Sequence, residues 1–181
     1  VEMAYRFELD ESLAEGVRRI GCEQIDEAIQ QLSKNGDPHK GIHEARKSLK
    51  RLRALLRLAR PALRKRDYKA EYRSFRDIGR ELSKARDAQA MYEAVSKLND
   101  TTDASAKAGA EQVTQWITQR RGEALRGLDD GPKDLLVGAL KDARRRFGQL
   151  RIKGGFPRIG KGLQRSYRDG RRAFAVAYWR G

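Results

Sequence analysis

The sequence predicts an all-α protein, an antiparallel helical bundle, and three observations carry the prediction. Apolar residues recur at i, i+3, i+4 spacing through most of the 181 residues. Helix-start signals, Ser12 with Glu15, Asp37 with Pro38, and Pro132, stand just ahead of those periodic runs. No stretch alternates in a way that finds a strand partner, and the short connections suit antiparallel neighbours.

Residues 1–9, where Tyr5, Phe7 and Leu9 alternate with Arg6 and Glu8, read as an extended lead-in. The capping box of Ser12 and Glu15 opens a first helix of about 12–33, with Leu13, Val17, Ile20, Ile25, Ala28, Ile29 and Leu32 on one side and acids outside. Asn35-Gly36 ends it, Asp37 caps the next helix, and that second helix runs to about Arg60-Pro61. After the basic linker Arg64-Lys65-Arg66, the residues Tyr72, Phe75, Ile78, Gly79 and Leu82 form the seam of a third helix. A helix break is expected near Ser83, with Arg86-Asp87 beside it in either a structural or a ligand role, before helix resumes from Ala88 through Leu98. Asn99 to Asp103 reads as a polar loop. Helices of about 104–127 and 132–149 follow, and the glycine-bearing loop Lys153-Gly154-Gly155 leads to a last helix from Pro157 onward.

The second helix is the most informative element. At about 100° per residue, with His43 as zero, Arg46, Lys47, Lys50, Arg53 and Arg57 fall on one face between roughly 280° and 40°. Ala45, Leu49, Leu52, Leu56 and Ala59 share another face near roughly 160–240°. Like charges at i, i+3 and i+4 repel by a few tenths of a kcal/mol per pair, a cost that helix formation does not require and that a bound anion relieves. Glu44 is the one acid between 41 and 57 and lies off the stripe, which favours a binding surface over a merely solvated face. A second stripe on the third helix carries Arg73, Arg76, Arg80 and Lys84, partly neutralised by Asp77 and Asp87. The last helix carries a third, Lys161, Arg165, Arg168 and Arg172, opposite Ile159, Leu163, Tyr167 and Phe174.

Charge over the whole chain repeats this segregation. Lys and Arg total 40 against 25 Asp and Glu, for a net +15. Residues 39–86 carry +12 and 141–181 carry +11, whereas 1–38 carry −5 and 87–140 carry −3. Two basic blocks separated by acidic segments point to distant stripes lining one groove for an anionic partner.

Other chemistry is sparse. The single Cys22 excludes an internal disulfide or CxxC site, fits a reducing cytosol, and reads as a small core residue. His39 and His43 stand four apart without a third ligand, among cations that oppose a metal. Gly160-Lys161-Gly162 lacks the Ser/Thr that ends a phosphate-cradling loop, and no carboxylate cluster stands ready for magnesium. No cofactor is expected, and binding is expected in place of catalysis. No apolar run approaches a membrane span and no targeting segment is recognised, so a soluble cytoplasmic protein without a membrane partner is expected.

The stretch from Gly41-Ile42-His43-Glu44-Ala45-Arg46-Lys47 through Arg53, followed by Phe75-Arg76-Asp77 and by Leu82-Ser83-Lys84-Ala85-Arg86-Asp87-Ala88-Gln89, resembles the CHAD family, the conserved histidine α-helical domain. The resemblance implies two related helical bundles whose basic helices line a central groove that binds inorganic polyphosphate. It further implies that His43, Arg46, Lys47, Lys50 and Arg53 carry the first half's His-x-x-Arg-x-x-x-Lys motif, with Arg73, Arg76 and Arg80 on the same surface. Residues 162–172 resemble the helix that precedes the second motif. That second motif is expected after about residue 180, so the chain is read as a fragment or as a domain without its second half-site, and an exposed apolar C-terminal edge is expected to favour a homo-oligomer. One CHAD-like domain over 1–181 is expected, with a first bundle at about 10–100 and the start of a second at about 104–181.

The function expected is therefore non-catalytic polyphosphate binding through His43, Arg46, Lys47, Lys50, Arg53, Arg57, Arg73, Arg76, Arg80, Lys84, Lys161, Arg165, Arg168 and Arg172, with association with polyphosphate or storage granules. Two alternatives stand beside it. Sequence-independent nucleic-acid binding would suit the net charge, but Tyr72, Phe75, Tyr167 and Phe174 fall on apolar seams and not among the cations where bases would stack. An accessory role beside a triphosphate-processing enzyme is the other.

Overall fold

A computed structural model describes residues 5–99, 107–129 and 131–179. The described residues form six α-helices and no strand: α1 (Leu13–Ser33), α2 (Pro38–Ala59), α3 (Lys65–Asn99), α4 (Lys107–Asp129), α5 (Pro132–Gly148) and α6 (Phe156–Trp179), with a 3-10 turn at Arg60–Ala62 between α2 and α3. The all-α bundle expected from periodicity is the fold observed.

Local signals start the helices where the sequence places them. Ser12 accepts from the Glu15 amide while the Glu15 carboxylate takes the Ser12 amide at 2.8 Å, closing the capping box of α1. Asp37 accepts from the His39 amide at 2.9 Å and Pro38 fills the first turn of α2, where a missing N–H costs nothing. Gly131 precedes α5 at φ 113°, a backbone conformation that glycine adopts without a side-chain clash.

The buried faces then meet in one contiguous core. Val17, Ile20, Ile25 and Ala28 of α1, Ala45, Leu49, Leu52 and Leu56 of α2, Phe75, Ile78 and Leu82 of α3, and Leu140, Ala143 and Phe147 of α5 belong to it, joined by Leu128 of α4. Each fully buried Leu or Phe contributes about 1.5–3 kcal/mol through burial. α1 packs on α2 and α5, α2 on α3, and α3 on α4. Two glycines set how closely these helices approach: a Cβ on Gly21 would stand 1.9 Å from the Phe147 ring, and one on Gly41 would stand 2.5 Å from the Gln31 carbonyl oxygen.

The structure corrects the sequence reading in three places. α3 runs without a break through Ser83, whose hydroxyl donates to the Gly79 carbonyl one turn back at 3.0 Å and so stays within the helix. Cys22 is half-buried and not a core residue, with its thiol against the Arg144 carbonyl at 3.9 Å. Asn99 ends α3, and the remainder of the expected loop, 100–103, lies outside the described residues, as does the expected start of α4 at 104.

α6 is held only near its beginning. Lys153 donates its amide to the Ala62 carbonyl at 2.9 Å, Arg158 donates to the Pro61 carbonyl at 2.9 Å, and Gly162 lies directly on the end of α2, where a Cβ would be 2.1 Å from the Leu58 oxygen. Every residue from Leu163 to Trp179 is exposed.

Candidate anion-binding cleft

α2 and α3 lie antiparallel, because Arg53 meets Tyr72, Arg46 meets Gly79 and Ser83, and His43 meets Arg86 in descending register. Their apolar sides enter the core and leave a cleft of about 240 Å³ between the outer sides, lined by Arg46, Leu49, Lys50, Arg53, Phe75, Arg76, Gly79, Arg80 and Ser83. Leu49 and Phe75, both fully buried, form its floor, and the absent side chain of Gly79 deepens it. Five cations therefore gather over an apolar floor, three from α2 and two from α3, with no carboxylate among the lining groups.

These cations are not equivalent. Arg46 donates to the Gly79 carbonyl at 2.8 Å and to the Ser83 hydroxyl, so its guanidinium ties α2 to α3. Arg53 donates to the Tyr72 hydroxyl at 3.2 Å and lies 5.2 Å from the centre of the same ring. That hydrogen bond holds the Tyr72 phenol below the ordinary tyrosine range. Arg76 is paired with Asp77 at 2.8 Å. Lys50 and Arg80 make no hydrogen bond or ion pair with any described residue and line opposite walls as unpaired cations.

The other predicted residues are distributed around this cleft. His43 stands beyond its end, with half of its imidazole exposed, and accepts from Arg86 Nε at its Nδ1 at 3.2 Å. Lys47 is turned toward Glu44 at 3.0 Å. Arg57 and Arg73 are exposed, unpaired among the described residues, and outside the lining. Lys84 is paired with Glu81 at 3.2 Å and faces a different cleft of about 730 Å³ between α3, α4 and the start of α5, where Asp87, Arg120 and Glu123 mix both signs of charge. Lys161, Arg165, Arg168 and Arg172 lie on exposed α6, whose contacts fall on the end of α2 and on the 3-10 turn. The structure thus brings the first and second stripes together and leaves the third standing apart, because α6 projects past the bundle.

Sequence reasoning misses Ser83, Tyr72 and Arg121. Periodicity puts Ser83 at a break and Tyr72 on an apolar seam, and it leaves Arg86 open between a structural and a ligand role, whereas its Nε donates to His43. In fact Tyr72 and Tyr68 carry arginines on their rings, Arg53 and Arg60 respectively, so aromatic and cationic groups do interleave here. The only signal for Tyr72 was its polar tip at the edge of a seam, a position from which a phenol usually seeks a partner. Arg121 of α4 donates to His39 Nε2 at 3.0 Å, and burial together with this cation pushes the His39 imidazole below its ordinary range. Among the described residues no group of three His, Cys, Asp or Glu is arranged to hold a metal, and no helix is long and apolar enough to cross a membrane.

A family model for the CHAD domain matches residues 23–178. Comparison with curated proteins and with solved structures finds no match.

Proposed function

The chain belongs to the CHAD domain family, a family linked in general to polyphosphate and triphosphate binding, and on that premise we propose that it binds inorganic polyphosphate in the α2/α3 cleft without turning it over. One observation carries the reading: Lys50 and Arg80 stand unpaired on opposite walls of a cleft whose other charged groups, Arg46, Arg53 and Arg76, are all cations. Polyphosphate repeats its negative charge along one thin chain, and arginine forks with a lysine between them engage such a chain from two sides. The polar side chains of the lining are hydrogen-bond donors and a hydroxyl, a set suited to holding phosphoryl oxygens, and binding without turnover is proposed on that donor set. The one aromatic ring in the cleft lining, Phe75, is fully buried in its floor, and Tyr68 and Tyr72 lie outside the lining, which favours a phosphate chain over stacked bases as the occupant. Residence in the cytoplasm and association with polyphosphate granules are part of the same proposal.

The test is competition at about 0.15 M salt, where charges are screened beyond about 8 Å. Labelled long-chain polyphosphate is displaced by unlabelled polyphosphate or by duplex DNA at equal phosphate concentration. Displacement by polyphosphate at far lower concentration supports the proposal; equal displacement assigns the cleft to polyanions in general. Lys50→Glu with Arg80→Glu is expected to abolish binding while circular dichroism stays at the wild-type level, since neither side chain holds the fold.

A further inference from the structure

Both histidines of the chain are hydrogen-bond acceptors from arginine, and they accept on opposite nitrogens. Arg86 Nε donates to His43 Nδ1 at 3.2 Å, whereas Arg121 Nε donates to His39 Nε2 at 3.0 Å. An imidazole nitrogen that accepts an N–H bears a lone pair, so the ring proton must sit on the other nitrogen. His43 is thereby set as the Nε2–H form and His39 as the Nδ1–H form. Arg86 is itself steadied on α3, with its Nη2 at 3.5 Å from the Glu93 carboxylate, which also takes Gln89 at 2.9 Å. His43 Nε2 is the nitrogen left open, with the Glu44 carboxylate 4.0 Å away and that carboxylate already engaged by Lys47 at 3.0 Å.

His43 and Arg86 line a cavity of about 330 Å³ beyond the end of the α2/α3 cleft, shared with Lys40, Gln89 and the carboxylates of Asp37 and Glu93. We propose that Arg86 is a positioning residue that makes His43 present an N–H, and not a lone pair, to an anion that reaches past the end of the cleft. An imidazole showing its lone pair would repel a phosphoryl oxygen, and without Arg86's donor at Nδ1 the ring proton is free to sit on either nitrogen. The role assigned to Arg86 is thus indirect: it fixes which face of the histidine is a donor, while Lys50 and Arg80 supply the charge. This inference rests on the polyphosphate reading for its ligand but not for its tautomer.

Two measurements test it. Long-range proton–nitrogen correlation spectra at about pH 8, where an ordinary imidazole is neutral, are expected to show one ring protonated at Nε2 and one at Nδ1, assigned with His39→Gln. His43 protonated at Nδ1 in the wild-type chain would overturn the proposal with no variant needed. Affinity for long-chain polyphosphate is then measured for Arg86→Met and Arg86→Lys, alone and with His43→Ala. Arg86→Met is expected to weaken binding about tenfold, the size of one hydrogen bond to a charged group, and Arg86→Lys, which keeps a donor, is expected to recover most of it. In the His43→Ala background Arg86→Met is expected to cost less than about twofold, because partners acting as a unit are not additive. An equal loss in both backgrounds would make Arg86 a simple contributor of charge and sink the positioning role. If wild-type chain fails to bind polyphosphate at all, the functional reading falls, and the spectra still decide the tautomer.

Discussion

Arg46 and Lys50 stand one turn apart on α2 and line the same cleft, yet one is committed to the fold and the other is free. Arg46 donates from its Nη1 to both Gly79 and Ser83. Arg46→Met is therefore expected to cost about 1–2 kcal/mol of stability, from hydrogen bonds lost across a helix interface, whereas Lys50→Met leaves stability unchanged and weakens anion binding; urea denaturation and a binding titration of each variant separate the two effects. His39 offers a pH test at the same scale. Its folded-state imidazole titrates below the ordinary value, through burial first and Arg121 second, so the unfolded chain binds more protons than the folded one. Stability from this group is present above about pH 6.5 and is lost as pH falls from there through the folded value. Denaturation midpoints at falling pH are expected to drop less steeply for His39→Gln than for the wild-type chain.

At the scale of elements, helix junctions are decided by what stands where two backbones approach. Gly21 gives its space to the Phe147 ring, and Gly138 of α5 has nothing within 4 Å of a would-be Cβ. Alanine gains up to about 1 kcal/mol over glycine inside a helix, while overpacking a core contact costs about 1–3 kcal/mol. Gly138→Ala is thus expected to raise the thermal midpoint and Gly21→Ala to lower it, and a melting curve of each distinguishes them. The α3/α5 contact depends on charge as well as shape. Glu71 is buried, and its carboxylate takes two hydrogen bonds from the half-exposed Arg146, at 2.8 and 3.3 Å. Arg146→Met would strand that carboxylate and is expected to cost about 2 kcal/mol, less than a fully buried pair because water reaches the arginine; replacing Glu71 by Gln at the same time is expected to return part of the loss in the same denaturation assay.

Across the whole molecule, the core joins α1 to α5 and α6 extends beyond it. Leu163, Tyr167, Phe174 and Tyr178 are all more than 60 % exposed on that helix. An isolated helix of this length is marginal in water, so amides of 163–179 are expected to exchange with solvent far faster than those of α1 and α2. Self-association through the apolar edge, the expectation raised by the sequence, would appear as protection of those amides that grows with protein concentration.

Helix order and most boundaries were legible because a 3.6-residue period and a cap are local properties that each segment carries alone; the continuity of α3 through Ser83 was not. The two stripes on α2 and α3 were legible for the same reason. What the sequence by itself determined is therefore an all-α chain of its family with its cations gathered on particular helix faces. Only tertiary structure decided which cations remain free. A wheel places Arg46, Lys50 and Arg165 alike on basic faces, but their fate depends on the neighbouring helix: Gly79 and Ser83 take Arg46, α6 carries Arg165 away from the bundle, and Lys50 is left without a partner opposite Arg80. Side-chain hydrogen bonds between helices depend on packing angle and register, which are set by the summed burial of many residues and written in no single stretch of the chain.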